Sequence, residues 1–281
     1  IVDVVLTQNE IPVGAAIAET GGTIAPGLID LHNHVAYNFI RPWTPSKLYR
    51  NRNQWQRDSA YAEAVKKPYN AVKNAGHLCQ AQKWGELRAL MGGTTTIQGS
   101  IGRSCQSGWV RNVESTNFCV DTVRQNVLPI DGISQAEADG LIAQFEAGTT
   151  KSYLVHLAEG VDDLSRRELD KLRSLKLLRK EVVAIHATAM TAEQLAEMGQ
   201  AGMKLVWSPL SNLALYGATT DIPTALANGI KVALAPDWTP SGSDNLLGEL
   251  KVADKLNREQ WGTLLSDEQL LAMVTSTPAE I

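Results

Sequence analysis

The chain has few cysteines, and this excludes two kinds of stabilised fold. Only three of its 281 residues are cysteine, Cys79, Cys105 and Cys119, and none of them has CxxC spacing. An odd number without paired spacing predicts neither a zinc knuckle nor a complete disulfide framework. We expect free thiols, with a Cys105–Cys119 bridge as the alternative in an exported protein.

The sequence also lacks an excess of charge of one sign and long apolar runs. Twenty-six basic and 30 acidic residues leave a net charge of -4, so no nucleic-acid partner is expected. No apolar run approaches the roughly 18 residues that cross a bilayer, and no leader pattern opens the chain, so no membrane partner is expected. We expect a soluble protein that binds a small molecule, with homo-oligomerisation open. A cytoplasmic location is favoured, but the first residue is Ile1 rather than Met, which leaves export open.

What is present is an alternation of strands and helices. The second half contains short β-branched runs that predict strands at 152–156, 181–186, 203–207 and 230–235. Between and after them, helix starts carry capping-box pairs, a pattern typical of repeated β/α units. These pairs are Ser165 with Glu168, Thr191 with Gln194, and Ser266 with Gln269.

The first half follows the same pattern less regularly. Strands are predicted at 28–32, 94–98, 109–113 and 122–128, with a capped helix at 134–145. The whole predicts an α/β fold, a (β/α)8 TIM-like barrel over residues 26–281. An aromatic-rich insertion at about 37–90 follows the first strand. It is expected either to form a lid or pocket wall or to be a helical surface insertion without a catalytic part.

The segment His32-Asn33-His34 begins at the last residue of the first predicted strand. Successive side chains of a strand point to opposite faces, so the two histidines share a face and can bind one cation. A polar rim is the alternative for such a pair taken alone.

Further ligand-type residues end later strands. His156, His186 and Asp237 each close an apolar run, and Glu159 follows His156 by three residues. A barrel gathers its active site at these carboxyl ends. Glu159 could then move protons beside a metal. Each position also has an ordinary interpretation: a solvated glutamate, a core histidine, or a carboxylate that caps a helix.

As an ordered set, these motifs resemble the amidohydrolase superfamily, and within it the branch of cytosine deaminase, guanine deaminase and triazine hydrolase. The resemblance covers about 26–281. The segments that carry it are Pro26 to His34, Gly93 to Thr96, His156 to Glu159, His186, Ser208 to Asn212, and Asp237.

This resemblance implies a metal centre and its chemistry. His32, His34, His156 and Asp237 would hold one divalent metal, with zinc expected and iron as the alternative. His186 would bond the hydrolytic water or the substrate, Glu159 would be the proton shuttle, and Asp237 would also take a proton from the water. The sequence contains no lysine between Arg111 and Gly148, so none is available there to bridge a second metal ion.

The surrounding residues carry weaker expectations. Asp30 is expected to orient a ligand histidine. Ser211 and Asn212 are expected only to secure the loop after the seventh strand. Trp238 stands where this branch typically carries glycine, and we expect it to crowd or stack on the substrate. Four tryptophans favour a planar nitrogen heterocycle unless they belong to the core: Trp43, Trp55, Trp207 and Trp238.

Members of the family also build a small β-sandwich from both chain ends. Only about 25 residues precede the barrel here, and the chain stops soon after Pro278. We therefore expect 1–25 to be a remnant of the sandwich in a truncated product. The expected function is metal-dependent hydrolysis of a C–N bond in a cyclic amidine or amide by metal-activated water. The alternatives are a peptidase-like or lactonase-like amidohydrolase, or a metal-binding barrel inactivated by truncation.

Overall fold

The computed structural model describes residues 13–14, 16, 18–22, 24–114, 123–126 and 130–281. Most of the predicted sandwich remnant at 1–25 lies outside these described residues, so that domain boundary stays a prediction. Both ends of the predicted 122–128 strand lie outside them too.

The described residues contain eight strands, and every hydrogen-bonded neighbour pair is parallel. They form a three-stranded sheet, β1-β2-β3, and a five-stranded sheet, β4 to β8, each in sequential order. A single parallel bridge between Asn33 and Asp237 joins the residues just after the first and the last strand. Sequential parallel order is that of a β/α barrel. The strands are β1 Leu28–Asp30, β2 Thr94–Ile97, β3 Arg111–Asn112, β4 Val123–Asn126, β5 Ser152–Leu157, β6 Val182–His186, β7 Lys204–Trp207 and β8 Val232–Leu234.

Strands β5 and β6 are buried along their whole length, as expected for parallel strands covered on both faces. Alternate side chains separate two cores. Leu154, Val183 and Ile185 belong to one apolar cluster, whereas Val155, Val182 and Ala184 belong to a larger cluster that includes helical leucines. The period of two therefore sets which strand residues meet the helices and which meet the other strands.

Helices connect the strands. In the described residues the α-helices are α1 Arg52–Trp55, α2 Ser59–Tyr61, α3 Lys67–Asn74, α4 Leu78–Met91, α5 Gln135–Glu146, α6 Asp163–Arg166, α7 Glu168–Ser174, α8 Ala192–Gln200, α9 Pro209–Tyr216, α10 Ile222–Ala227, α11 Leu246–Gln260, α12 Asp267–Ala272 and α13 Ser276–Glu280. A π-helical turn, Ala62–Lys66, lies between α2 and α3, and short 3-10 turns occur at Val35–Tyr37, Arg103–Cys105 and Ile130–Gly132. None of these helices combines the length and the apolar character that spanning a bilayer requires.

Two of the three predicted capping boxes are confirmed, at the starts of α8 and α12. The third, Ser165 with Glu168, is wrong. Asp162 caps α6 instead, and its carboxylate accepts a hydrogen bond from the backbone N of Ser165 at 3.1 Å. Glu168 turns inward, where it accepts a hydrogen bond from the backbone N of Ala158 at 2.7 Å.

The expectation of free thiols is wrong for two of the three cysteines. Cys79, on α4, forms a disulfide with Cys105, in the 3-10 turn after β2. The pair is 26 residues apart in sequence, and helix α4 contacts that turn, which brings the two together. Cys105 is therefore not free for the alternative bridge to Cys119, which lies outside the described residues.

The insertion forms helices α1 to α4. Aromatic side chains from its first part pack in one cluster with Trp238, which lies in the loop after β8. The aromatic residues of the insertion in this cluster include Trp43, Tyr49, Trp55 and Tyr61. Its last helix, α4, returns along β2. The insertion thus supplies both a pocket wall and the helix that leads back into the sheet.

Candidate active site

The carboxyl ends of the strands and the insertion enclose one cavity of about 260 Å³. Five of the six predicted site residues line it, and the sixth, His32, has its ring 4.6 Å from that of His156. The predicted convergence of widely separated residues is thus observed. The cavity is lined by His34, Tyr37, Arg52, Trp55, Gln56, Tyr61, His156, Glu159, His186, Asp237 and Trp238.

Asp237 lies against the histidine pair that follows β1. Its Oδ1 is 3.0 Å from Nε2 of His32 and 3.5 Å from Nε2 of His34. The potential ligand atoms of these three residues lie within 4.8 Å of one another, and so do those of His32, His156 and His186. His32 therefore belongs to two triads of potential ligand atoms, one with His34 and Asp237 and one with His156 and His186.

The protonation states of these groups suit a cation. Burial lowers the pKa of His32 to about 4 and also lowers the pKa of His34 and His156, so the rings are neutral near pH 7. Burial acts to raise the pKa of Asp237, but the nearby histidines outweigh it and hold that pKa below its ordinary value. Neutral imidazoles with a carboxylate are a donor set typical of zinc.

One buried ring nitrogen supports the same conclusion. Nε2 of His32 is inaccessible to water and makes no hydrogen bond within the described residues, although it lies close to Asp237. A buried polar atom without a partner costs free energy. A bound cation would remove that cost, so the residues present fit a metal.

Two of the histidines are oriented by oxygens outside the metal-facing set. Nδ1 of His156 lies 3.4 Å from the backbone O of Asn126, and Nδ1 of His186 lies 3.0 Å from Oδ1 of Asn212. These oxygens only accept, so each Nδ1 donates and each Nε2 is left with its lone pair. Asn212, expected only to secure a loop, therefore also orients His186.

Two site residues have left-handed backbone conformations. His186 has φ 71° and Asp237 has φ 67°. Such φ values are strained for residues other than glycine and are concentrated at functional sites. Neighbours hold both positions: Thr220 donates a hydrogen bond to the backbone O of His186, and the backbone N of His34 donates to O of Asp237 at 2.8 Å.

The predicted contact between Asp30 and a ligand imidazole is not made. Its carboxylate instead accepts hydrogen bonds from the backbone N of His32 at 3.1 Å and from Nδ2 of Asn33 at 2.7 Å. Asp30 therefore holds the backbone that carries the histidine pair. Burial raises its pKa to about 8.

Glu159 contacts residues that the motif analysis missed. The hydroxyl group of Tyr216 donates a hydrogen bond to its Oε1 at 2.7 Å. Its Oε2 is 3.9 Å from Arg52 and 4.0 Å from Nε2 of His186. Arg52 in turn forms a 2.8 Å ion pair with Glu168. Spacing could have indicated Tyr216, because it lies one helical turn after Asn212 on α9.

The four tryptophans divide between pocket and core. Trp55 and Trp238 line the cavity with ring centroids 5.8 Å apart, and Tyr37 is 5.4 Å from Trp238. Trp43 lies behind this wall in the aromatic cluster. Trp207 is fully buried in the main core, where its Nε1 donates a hydrogen bond to Thr219 at 2.7 Å.

Curated relatives share most of this chain's length at low identity. A 5-methylthioadenosine/S-adenosylhomocysteine deaminase of Haloquadratum walsbyi is 22% identical over 85% of the chain and 61% of the relative. A protein of the same name from Bacillus cereus is 22% identical over 97% of the chain and 71% of the relative. The chain thus spans less than two thirds of the first of these. No protein-family model matches the chain.

Solved structures with the same fold include three hydrolases. A variant of atrazine chlorohydrolase from Arthrobacter aurescens, solved with zinc and atraton, has a TM-score of 0.65 at 18% identity over 91% of the chain and 70% of that protein. An adenosine deaminase from Xanthomonas campestris with bound zinc has a TM-score of 0.63 at 15% identity, over 90% of the chain and 66% of that protein. Escherichia coli guanine deaminase has a TM-score of 0.64 at 16% identity, over 91% of the chain and 68% of that protein. The sequence relatives are named as deaminases and the structural neighbours share the fold, so the comparisons indicate the deaminase branch of the amidohydrolase superfamily.

Proposed function

We propose that the protein is a metal-dependent hydrolase that removes an amino group from a planar nitrogen heterocycle and releases ammonia. The observation that carries the proposal is the approach of Asp237 to His32 and His34 in the cavity that Glu159 and His186 also line. An amidine carbon bearing an amino group is attacked by water, and the C–N bond breaks as the nitrogen gains a proton.

In this proposal His32, His34, His156 and Asp237 hold one divalent metal. Zinc is the preferred ion, since two of the structural neighbours were solved with bound zinc, and iron is the alternative. When bound, such a cation lowers the pKa of water to near 7, so hydroxide is available at neutral pH. His186 lies beside His32 and His156 and lines the cavity, which allows it to contact the attacking water or the substrate.

The chain's own residues move the protons. Asp237 is a carboxylate near pH 7, and it accepts a proton from the attacking water. Glu159 transfers a proton to the leaving nitrogen, and its position in the cavity beside His186 supports this role. His186 presents Nε2 to the cavity, because its Nδ1–H donates a hydrogen bond to Oδ1 of Asn212.

The cavity wall supports an aromatic substrate. Four rings, Tyr37, Trp55, Tyr61 and Trp238, line it, and flat rings bind well between such side chains. The named substrates of the relatives, 5-methylthioadenosine and S-adenosylhomocysteine, both carry adenine, an amino-substituted ring of this kind. An aminopurine or a related amino-heterocycle is therefore the proposed substrate class.

The test combines metal analysis with ammonia release. We expect about one equivalent of zinc or iron per chain after supplementation, and ammonia from at least one member of a panel of aminopurines, aminopyrimidines and aminotriazines. Glu159→Gln should retain the metal and lose at least roughly 100-fold of kcat. Glu193→Gln, an exposed position on α8, is the matched control and should behave as the parent. A chain that binds no metal, or that hydrolyses amides or lactones without releasing ammonia, would overturn the proposal.

A further inference from the structure

The two oxygens of Glu159 have different surroundings. Oε1 accepts the hydrogen bond from the hydroxyl of Tyr216 at 2.7 Å, and that hydroxyl accepts a hydrogen bond from Nε1 of Trp55 at 2.8 Å. Oε2 makes no hydrogen bond within the described residues. All three side chains are buried, with 7% of Trp55, 4% of Tyr216 and 4% of Glu159 exposed. The carboxylate is therefore held on one side only.

The direction of this chain of hydrogen bonds is set by chemistry. An indole N–H can only donate, so the oxygen of Tyr216 must accept from Trp55. The single hydroxyl hydrogen of Tyr216 is then left for Oε1 of Glu159. Burial, with the charge of Glu159, raises the pKa of Tyr216 well above its ordinary value, so this hydrogen is retained across the neutral pH range.

Oε2 faces a different environment. Nitrogen atoms of Arg52 and His186 lie 3.9 and 4.0 Å from this oxygen, beyond hydrogen-bond distance. Glu159 nevertheless lines the cavity, so this oxygen is the one open to a substrate. Arg52 donates from Nη2 to Glu168 at 2.8 Å, so its hydrogen-bonded carboxylate partner is Glu168 and not Glu159.

We propose that Tyr216 is a positioning residue that holds Oε1 of Glu159 as a fixed acceptor, so that Oε2 alone carries the transferred proton. This inference rests on the proposed role of Glu159. The insertion would then also contribute to the reaction, because Trp55, on α1, donates a hydrogen bond to the hydroxyl oxygen of Tyr216 and so leaves the hydroxyl hydrogen for Glu159.

A double-variant cycle tests the proposal through activity. Tyr216→Phe removes the hydroxyl with little change of volume, and we expect kcat to fall about 10-fold, as for loss of a hydrogen bond to a charged group. KM should stay within about 2-fold and the metal content should not change. In a Glu159→Gln background, the same substitution should have almost no further effect on the residual rate, because Tyr216 acts through Glu159. Full additivity would overturn the proposal.

A matched control separates positioning from general packing. Tyr153 is equally buried, with 4% exposed, but it lies near the start of β5, whereas Glu159 follows the end of that strand. Tyr153→Phe should leave kcat, KM and the double-variant result unchanged. A loss of kcat equal to that of Tyr216→Phe would show a packing effect and overturn the positioning role.

A second readout does not depend on turnover. The hydroxyl proton of Tyr216 should give a slowly exchanging, downfield proton resonance that Tyr216→Phe abolishes and Glu159→Gln moves upfield. If the resonance does not respond to Glu159→Gln, the positioning role is overturned. If it responds while no ammonia is released from any substrate, the hydrogen bond stands and the proposed function fails, so the two failures are distinguishable.

Discussion

The hydroxyl of Ser211 donates a hydrogen bond of 2.6 Å to Oδ2 of Asp237, so the carboxylate keeps only Oδ1 toward the histidines. Ser211 lies on α9, and Ser241, beyond β8, contacts its hydroxyl at 2.9 Å. Helix α9 thus sets the rotation of a proposed metal ligand that belongs to another strand. From the sequence alone, Ser211 is expected only to secure the loop after the seventh strand.

Removal of this contact should weaken metal binding. We predict that Ser211→Ala lowers metal affinity roughly 10-fold, the usual size of effect for a residue that orients a ligand. A competition titration against a chromophoric chelator measures it. Ser174→Ala, at the exposed end of α7, is the control and should bind metal as the parent does. Unchanged affinity in Ser211→Ala would contradict the orienting role.

Trp238 should act mainly on substrate binding. We predict that Trp238→Ala raises KM by roughly 3-fold to 10-fold, since one aromatic wall is lost, and that Trp238→Phe raises it less. Steady-state kinetics on an active heterocycle provides the measurement. Trp84→Ala is the control, because Trp84 lies on α4 with 50% of its surface exposed. Equal KM in Trp238→Ala and the parent would exclude stacking on the substrate.

Glu249 should make the stability of the protein depend on pH. Burial raises its pKa from 4.5 to about 7, against opposing hydrogen bonds from Ser243 and the backbone N of Leu210. Because the folded-state pKa is the higher one, folding favours the protonated form. Below about pH 4.5 the carboxyl group does not lower the free energy of unfolding. It lowers that free energy progressively as the pH rises from 4.5 to about 7.

Replacement of this group removes the dependence. We predict that Glu249→Gln and the parent have similar free energies of unfolding near pH 4.5, and that the variant becomes more stable by at most about 3 kcal/mol above pH 7. Urea unfolding across this range measures the difference. Glu259→Gln, exposed on the same helix α11, should show no such trend. A constant difference at all pH values would contradict the prediction.

The Cys79–Cys105 bridge should stabilise the loop after β2. We predict that the Cys79→Ser/Cys105→Ser variant loses about 3 kcal/mol of unfolding free energy, the size expected for a bridge across 26 residues. Mass spectrometry after alkylation should find two more modified cysteines after reduction than before. Cys119→Ser should keep that difference of two. Equal labelling before and after reduction would exclude the bridge.

Local signals predicted much of the fold. The strand predicted at 181–186 is observed as β6, Val182–His186, with the predicted end at His186, and Thr191 with Gln194 caps α8 as predicted. Such signals succeed because they act within a few residues. The Ser165–Glu168 pair failed because a competing cap, Asp162, stands three residues earlier and Glu168 has a stronger partner in Arg52, 116 residues away.

The site divides in the same way. The predicted donors meet because parallel strands put their carboxyl ends at one edge, a consequence of the order of elements. Partners such as Tyr216 and Arg52 carry no motif of their own. Their contacts with Glu159 depend on where α9 and the insertion pack.

By itself, the sequence determined the alternation of strands and helices, and it placed the candidate imidazoles and carboxylates at or just past the carboxyl ends of the strands, although β1 ends at Asp30, before the histidine pair. Alternation along a strand and the parallel order of β/α units are local rules, and they carry that information. Only the tertiary structure decided how each group is oriented and protonated, including the hydrogen bonds to Asp237 and Glu159 and the disulfide at Cys79. Those properties depend on burial and on contacts between distant segments, which form only when the helices pack against the strands.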